Sequence, residues 1–319
     1  MRLIVSDSPH LKANYDTSWM MRQVIYALIP TGVASLYFFR FRAGFIILNC
    51  VVTSMITEEI VMRIRKRPST IKDGSALLTG LLLAFILPPS VKWYAVSLGA
   101  VFAILVGKHL FGGLGNNIFN PALVGRVFLV ATYPKTMTTW IEPFSLQAVT
   151  EATPLALRKF DHILTPVSNL FLGNSSGCVG ETSAILLILG GFYLLIRKVV
   201  DWRIPLSIII TVSLISSIFY VINPLNGSVS FHLFSGGLML GTFFMATDPV
   251  TTPISKKGRF VFGLGCGILI MVIRYFSGLP EGVMYSILFM NACVPLIDRI
   301  FRPKSLGAIG VMISKRRKK

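Results

Sequence analysis

Apolar residues fill this chain in long unbroken runs. Residues 184–196 (AILLILGGFYLLI) and 204–222 (IPLSIIITVSLISSIFYVI) carry no charged side chain. A helix needs about 20 mainly apolar residues to cross the hydrocarbon core of a bilayer, whereas a barrel strand would alternate apolar with polar. The runs are continuous, so they predict helices. Ten are expected, at 21–39, 44–61, 74–87, 93–106, 121–133, 183–196, 204–222, 229–247, 260–275 and 283–297. The third and fifth are short, and the eighth is rich in glycine. The fold class is an all-α integral membrane protein.

The pattern breaks once. Residues 134–182, between the fifth and sixth runs, are more polar than the rest. Loops of this length are functional or disordered. This one keeps Trp140, Ile141, Phe144, Leu146, Leu155, Leu157, Phe160 and Leu170, so it is expected to fold over one mouth of the bundle. The organisation is then a segment at 1–20, a first set of spans at 21–133, the insert at 134–182, a second set at 183–300 and a basic tail at 301–319.

The two sets share their punctuation. GSALLTGLLLAFILPPS and FSGGLMLGTFFMATDPV are short Gly-containing runs that end at Pro88 and Pro249. The next long run ends in a basic corner, at 108–112 and 274–278. An Asn then precedes a Pro by four positions (Asn117 and Pro121, Asn291 and Pro295), and an Arg follows (Arg126, Arg299). Five spans are an odd number, so the second set would enter from the opposite face. The order predicts a five-plus-five inverted repeat with short or broken helices, an arrangement that places sites between interrupted helices at matching positions.

Composition agrees with a membrane chain. It is 53% hydrophobic and 14% charged, against about 25% charged in soluble proteins, and its mean hydropathy is +0.70. The formal net charge of +18 invites a nucleic-acid reading, but its distribution opposes one. With ten spans, most of the 31 Lys and Arg fall on the side of the termini. Only Arg40, Arg42, Lys92, Lys135, Arg158, Lys159 and Arg274 fall on the other, and Arg126 lies within a span. Basic residues mark the cytoplasmic side, so both termini are expected inside and the insert outside. The terminal KRRKK reads as an anchor on anionic lipid or a partner surface, and no nucleic acid is expected. Asp7, Pro9, Lys12 and Asp16 interrupt residues 1–20, so no cleaved leader is expected. Cys50, Cys266 and Cys293 fall in spans and Cys178 in the insert, without the spacing of a zinc or iron–sulfur site.

Few side chains offer chemistry. An acid within or at the end of a span is a functional candidate by default, and Asp248, closing the eighth run, is the foremost; the alternative is a helix-end acid solvated or paired with Lys256 or Arg259. Glu58 and Glu59 precede a basic cluster and are expected in solvated ion pairs. Asn117, Asn120 and Asn291 either line an ion path or satisfy the backbone of broken helices. Lys108 and Arg274 stand at matching positions and are expected to meet lipid phosphate or a flavin, with His109 as an interfacial packing residue. In the insert, Thr153 before Pro154 reads as a helix N-cap with Pro at the first helical position. Leu155, Leu157 and Phe160 would form a short helix on the membrane surface.

The segment Thr150-Glu151-Ala152-Thr153-Pro154-Leu155 also resembles the flavin-attachment segment of the RnfD/NqrB family. Its members are the RnfD component of the Rnf complex and its relative NqrB, of the sodium-pumping NADH:quinone reductase. Glu151 stands where that segment has Gly, and Gln147 and Ala148 stand where its fuller form has Asp and Gly. SALLTGLLLAFILPP, GGLGNNIFNPALVGR and ATDPVTTP are similar to the same family, so the resemblance spans nearly the whole chain. It implies a prokaryotic inner-membrane subunit of a complex that couples electron flow between ferredoxin and NAD to Na+ or H+ translocation. It also implies FMN joined through its phosphate to Thr153, with Thr150, Ala152, Pro154 and Leu155 forming the segment around it, and partner subunits that include a second covalent-flavin subunit. A non-covalent riboflavin between the two halves is implied only by the quinone-reductase relative. NAD is not expected on this chain, because GGLG follows a membrane run rather than a strand. A stand-alone inverted-repeat transporter and a purely structural membrane subunit are the other classes; the first leaves the insert unexplained, the second the paired broken helices.

Overall fold

The computed structural model describes residues 16–144, 152–181 and 183–302. Every regular element is helical. In chain order they are α1 (Thr17–Phe39), α2 (Phe41–Ile64), α3 (Ser75–Phe85), α4 (Trp93–Phe102, continued as a π-helix over Ala103–His109), α5 (Pro121–Thr132) and the short α6 (Pro134–Met137). The insert adds α7 (Pro154–Ala156, continued as a π-helix over Leu157–Asp161) and α8 (Val167–Leu172). Then follow α9 (Ala184–Ile196), α10 (Arg203–Ile222), α11 (Val229–Phe234), α12 (Leu238–Leu240, continued as a π-helix over Gly241–Met245), α13 (Lys256–Phe276) and α14 (Val283–Ile300).

Helix limits follow local chemistry. Asp16 starts α1 by accepting the Thr17 N–H at 2.7 Å. Asp73 accepts both the N–H and the hydroxyl of Ser75 at the start of α3, at 2.8 and 2.6 Å. Asn120 caps α5 by accepting from Ala122 N and Leu123 N, with Pro121 at the first position, where its missing N–H costs nothing. The eighth run is one apolar stretch in sequence but breaks in space. At Ser235-Gly236-Gly237 the chain turns, with Gly236 at φ +65°, and the two helical pieces differ in direction by 44°.

Among the described residues, α2, α10, α13 and α14 are long and apolar enough to cross a membrane, and the bent pair makes a fifth. α3, α4 with its π-helical end, α5 and α9 are apolar but shorter. The large side chains that face outward are those of a lipid-facing wall: Ile29, Val33 and Leu36 on α1, Leu48 and Ile56 on α2, and Leu214 and Ile218 on α10. Without a hydrophobic drive between helices in lipid, close packing of small residues holds such a bundle. A Cβ on Gly80 of α3 would lie 2.8 Å from the Cys50 carbonyl of α2, and one on Gly267 of α13 would lie 2.7 Å from the Thr211 Cβ of α10. One continuous apolar core runs from α1 to α14. A smaller one, Leu155, Leu170 and Phe231 with Phe234 against them, seats the insert on α11.

Candidate functional site

Thr153 sits where its sequence context puts it. Its backbone is extended, Pro154 opens α7, and its Oγ1 accepts the Ala156 N–H at 3.3 Å. The residue is only 3% exposed. Ala152 is half-buried and Pro154 buried beside it. Leu155 is buried against Leu170 and Phe231. The expected short helix forms over α7 and its π-helical end, with Leu155 buried, Leu157 half-buried and Phe160 exposed. Next to the segment lies a cavity of about 200 Å³, lined by Ala152, Pro154, Leu157, Thr165, Asn174 and Ser175 among others. Thr150 lies outside the described residues, as do Gln147, Ala148 and Glu151.

Two cations clamp α7 to the bundle. Arg158 donates to the carbonyls of Asn226 (2.7 Å) and Arg274 (3.1 Å), and its guanidinium lies 4.9 Å from the Tyr275 ring centre. Lys159 Nζ donates to the carbonyls of Arg274 and Leu279, at 3.1 and 2.9 Å. The Arg274 and Leu279 carbonyls belong to the C-terminal end of α13 and the turn beyond it, where the helix dipole favours positive charge, and that of Asn226 to the turn before α11. Burial lowers the Arg158 pKa from its ordinary value.

A second feature lies between the two halves. A cavity of about 70 Å³ is bounded by Ser75, Lys108, Asn117, Asn120, Thr247 and Asp248, within an apolar wall that includes Leu82, Phe243 and Phe244. Asp248 accepts from Val250 N at 3.3 Å. It does not pair with Lys256 or Arg259, as one expectation had it; Arg259 instead binds Asp201 at 2.6 Å. Outside the spans, Asp201 is held below the usual carboxylate range: its burial is outweighed by bonds from the Arg203 N–H and from Arg259. Asn120 caps α5 and donates to the Met245 carbonyl at 3.4 Å. Asn291, with its amide oriented to satisfy both neighbours, donates to the Thr251 carbonyl at 3.3 Å and accepts from Asn120 N at 3.2 Å. Asn117 donates to the Phe119 carbonyl at 3.2 Å. The structure thus joins Asn120 to Asn291, and places Asn117, Asn120 and Asp248 around one cavity.

Several basic and acidic residues depart from expectation. Lys108 is turned away from the lipid-facing surface. It is 2% exposed and donates to Glu58 at 2.7 Å and to the Ser75 hydroxyl at 2.6 Å. His109 joins the same carboxylate through Nε2 at 3.0 Å, so it is not a mere packing residue. Glu58 is therefore a buried acid, and only Glu59 forms the expected exposed pair, with Arg63. The signal was helical period: Cys50, Ser54, Glu58 and Met62 share the buried face of α2, one step away from Glu59. Arg274 is fully buried and donates to the carbonyls of His232 (2.6 Å) and Ser235 (3.0 Å) at the broken helix. Glu181 and Glu281 carried no assigned role in the sequence, yet both reach Arg126 of α5.

Residues 4–307 match the NQR2, RnfD, RnfE family. The chain is 43% identical over 316 residues to a subunit of the proton-translocating ferredoxin:NAD(+) oxidoreductase complex of Clostridium ljungdahlii, covering 95% of this chain and 96% of the relative. It is 40% identical over 311 residues to the corresponding subunit of the Na(+)-translocating ferredoxin:NAD(+) oxidoreductase complex of Acetobacterium woodii, covering 96% of each. To the matching subunit of the ion-translocating oxidoreductase complex of Stutzerimonas stutzeri it is 39% identical over 325 residues, covering 90% and 91%. With a match along residues 4–307 and relatives alike along nearly their whole length, this chain, with its buried capping threonine on an anchored insert, belongs to the NQR2, RnfD, RnfE family.

Proposed function

We propose that the chain is the flavin-carrying membrane subunit of an ion-translocating ferredoxin:NAD oxidoreductase complex, with FMN joined by a phosphodiester to Thr153. The observation that carries this reading is the setting of Thr153. Its hydroxyl stands at a helix N-terminus, where unpaired N–H groups and the positive dipole end favour a phosphate. The adjoining cavity of about 200 Å³ offers the Thr165 hydroxyl and the Asn174 amide as hydrogen-bonding groups. The helix-start position of Thr153 supports the phosphate end of the group there, beside a cavity whose lining also includes Glu142. FMN, when bound, supplies electron-transfer chemistry. The chain's own residues hold it: Thr153 provides the attachment oxygen, Leu155 fixes the segment in the small apolar core, and Arg158 and Lys159 tie α7 to α13.

The same reading has ten spans in two inverted sets of five, α1 to α5 and α9 to α14, with α11 and α12 as one broken span. Lys108 and Arg274 support it. Each closes a long helix, is buried, and bonds the polar end of its own half's short helix: Ser75, the first residue of α3, and Ser235, in the turn before α12. Both termini lie in the cytoplasm of a prokaryotic inner membrane, with the insert outside. Asp248, Asn117 and Asn120 line the path by which Na+ or H+ crosses between the halves. The cavity there, at about 70 Å³, is far below the roughly 300–1,000 Å³ of small-molecule sites, so riboflavin is not placed in it. The other subunits of the complex are partners, including a second covalent-flavin subunit next to the insert.

The test is direct. The protein is co-produced with a flavin transferase, run on a denaturing gel and viewed under ultraviolet light. The parent and Thr150→Val should fluoresce, and Thr153→Val should be dark. Fluorescence surviving in Thr153→Val would place the flavin elsewhere.

A further inference from the structure

Three loops and a helix converge where the broken eighth run meets the base of the insert. Arg126 of α5 donates to Glu281 Oε2 at 3.2 Å and lies 3.8 Å from Glu181 Oε1, beyond hydrogen-bond reach. Glu281 comes from the turn before α14 and Glu181 from the loop before α9. Glu181 Oε1 and Glu281 Oε1 both lie against the Gly236-Gly237 break. A Cβ on Gly237 would lie 2.7 Å from Glu181 Oε1, and one on Gly236 would lie 3.2 Å from Glu281 Oε1. Both Oε1 atoms are buried and lack any hydrogen-bond partner. The Glu181 side chain is 4% exposed and that of Glu281 is 17% exposed. An unpartnered carboxylate oxygen in such surroundings costs the full desolvation of its charge, and two carboxylates sharing a site do not both ionise freely.

We propose that Glu181 and Glu281, held by Arg126 against the Gly236-Gly237 break, form a proton-binding site that takes up one proton between two carboxylates. The two carboxylates outnumber the Arg126 guanidinium that pairs with them by one negative charge, and one proton cancels it; a carboxylate becomes a neutral carboxylic acid, which removes the cost of its buried charge. The proton enters over Glu281, the more exposed of the pair. A metal cation is disfavoured, because the guanidinium already occupies the position beside both carboxylates, and no group of three metal-ligating side chains exists among the described residues.

Two further groups, Cys178 and Arg274, face the pair. Cys178 touches Arg126 at 3.5 Å, and burial pushes its thiol far above its ordinary pKa, so it brings no charge. Arg274 of α13 is a second cation turned toward the carboxylates; its terminal nitrogens donate to the His232 and Ser235 carbonyls, it forms no ion pair with either acid, and its charge partly offsets theirs from a distance. Leu155 of the insert closes the apolar side, over Gly236. Burial first, and then the charge of Glu281, raise the Glu181 carboxyl to about 8. The inference stands independently of the flavin reading.

Infrared difference spectra of the purified complex, recorded between about pH 6 and about pH 10, report protonated carboxyls by their C=O stretch and its shift in deuterium oxide. The parent should show a band that disappears as pH rises through about 8. Glu181→Gln should remove it. Glu281→Gln should move its loss to lower pH, since the like charge is gone, and should do so whether or not Glu181→Gln assembles. The proposal is overturned if the parent has no such band, if the band is unchanged in both variants, or if replacing choline by sodium abolishes it, which would make this a metal-ion site.

Discussion

At the scale of single residues, the buried charges decide most. Lys108 and Glu58 are 2% and 1% exposed and lie 2.7 Å apart. Removing one partner of a buried pair leaves an uncompensated charge and costs about 3–5 kcal/mol. Lys108→Met should therefore lower the unfolding midpoint of the purified protein strongly, while Arg63→Met, at an exposed pair, should hardly move it; equal stability of Lys108→Met and parent would show that the pair is not holding α2 to α4. The local role of Thr153 was readable in the sequence, because N-capping depends only on the residue and its neighbours. The fate of Glu58 was not. Its partner is fifty positions away, and the adjoining basic cluster suggested solvent until the buried face of α2 set Glu58 apart from Glu59.

At the scale of elements, hydrophobic runs placed every described helix of the two halves within a few residues. The run at 229–247 hid a break, for which Ser235-Gly236-Gly237 was the only local sign. What periodicity could not show is how the insert attaches. Charged side chains reaching backbone carbonyls on a distant helix leave no pattern in sequence, and Arg158 and Lys159 do this at the end of α13. A hydrogen bond from a charged group contributes about 1.5–3 kcal/mol. Arg158→Gln should thus loosen α7, and limited proteolysis should cut the 152–172 region roughly ten times faster or more than in the parent. Unchanged cleavage would mean that the small apolar core of Leu155, Leu170 and Phe231 holds the insert unaided.

At the scale of the whole molecule, the segment around Thr153 and the cavity beside Asp248 belong to one bundle, whose first and second sets of helices meet at Asn120 and Asn291. If Asp248 lines the ion path, Asp248→Asn in the assembled complex should cut coupled ion transport several-fold in vesicles while leaving electron transfer measurable; full coupled transport in that variant removes Asp248 from the path. The central claim of the functional account is the covalent flavin. The most direct measurement is peptide mass spectrometry of the protein isolated from its native host. A peptide containing Thr153 should be heavier than its sequence by FMN less one water, with fragment ions that place the mass on Thr153. A Thr153 peptide found only at its unmodified mass would contradict the covalent attachment.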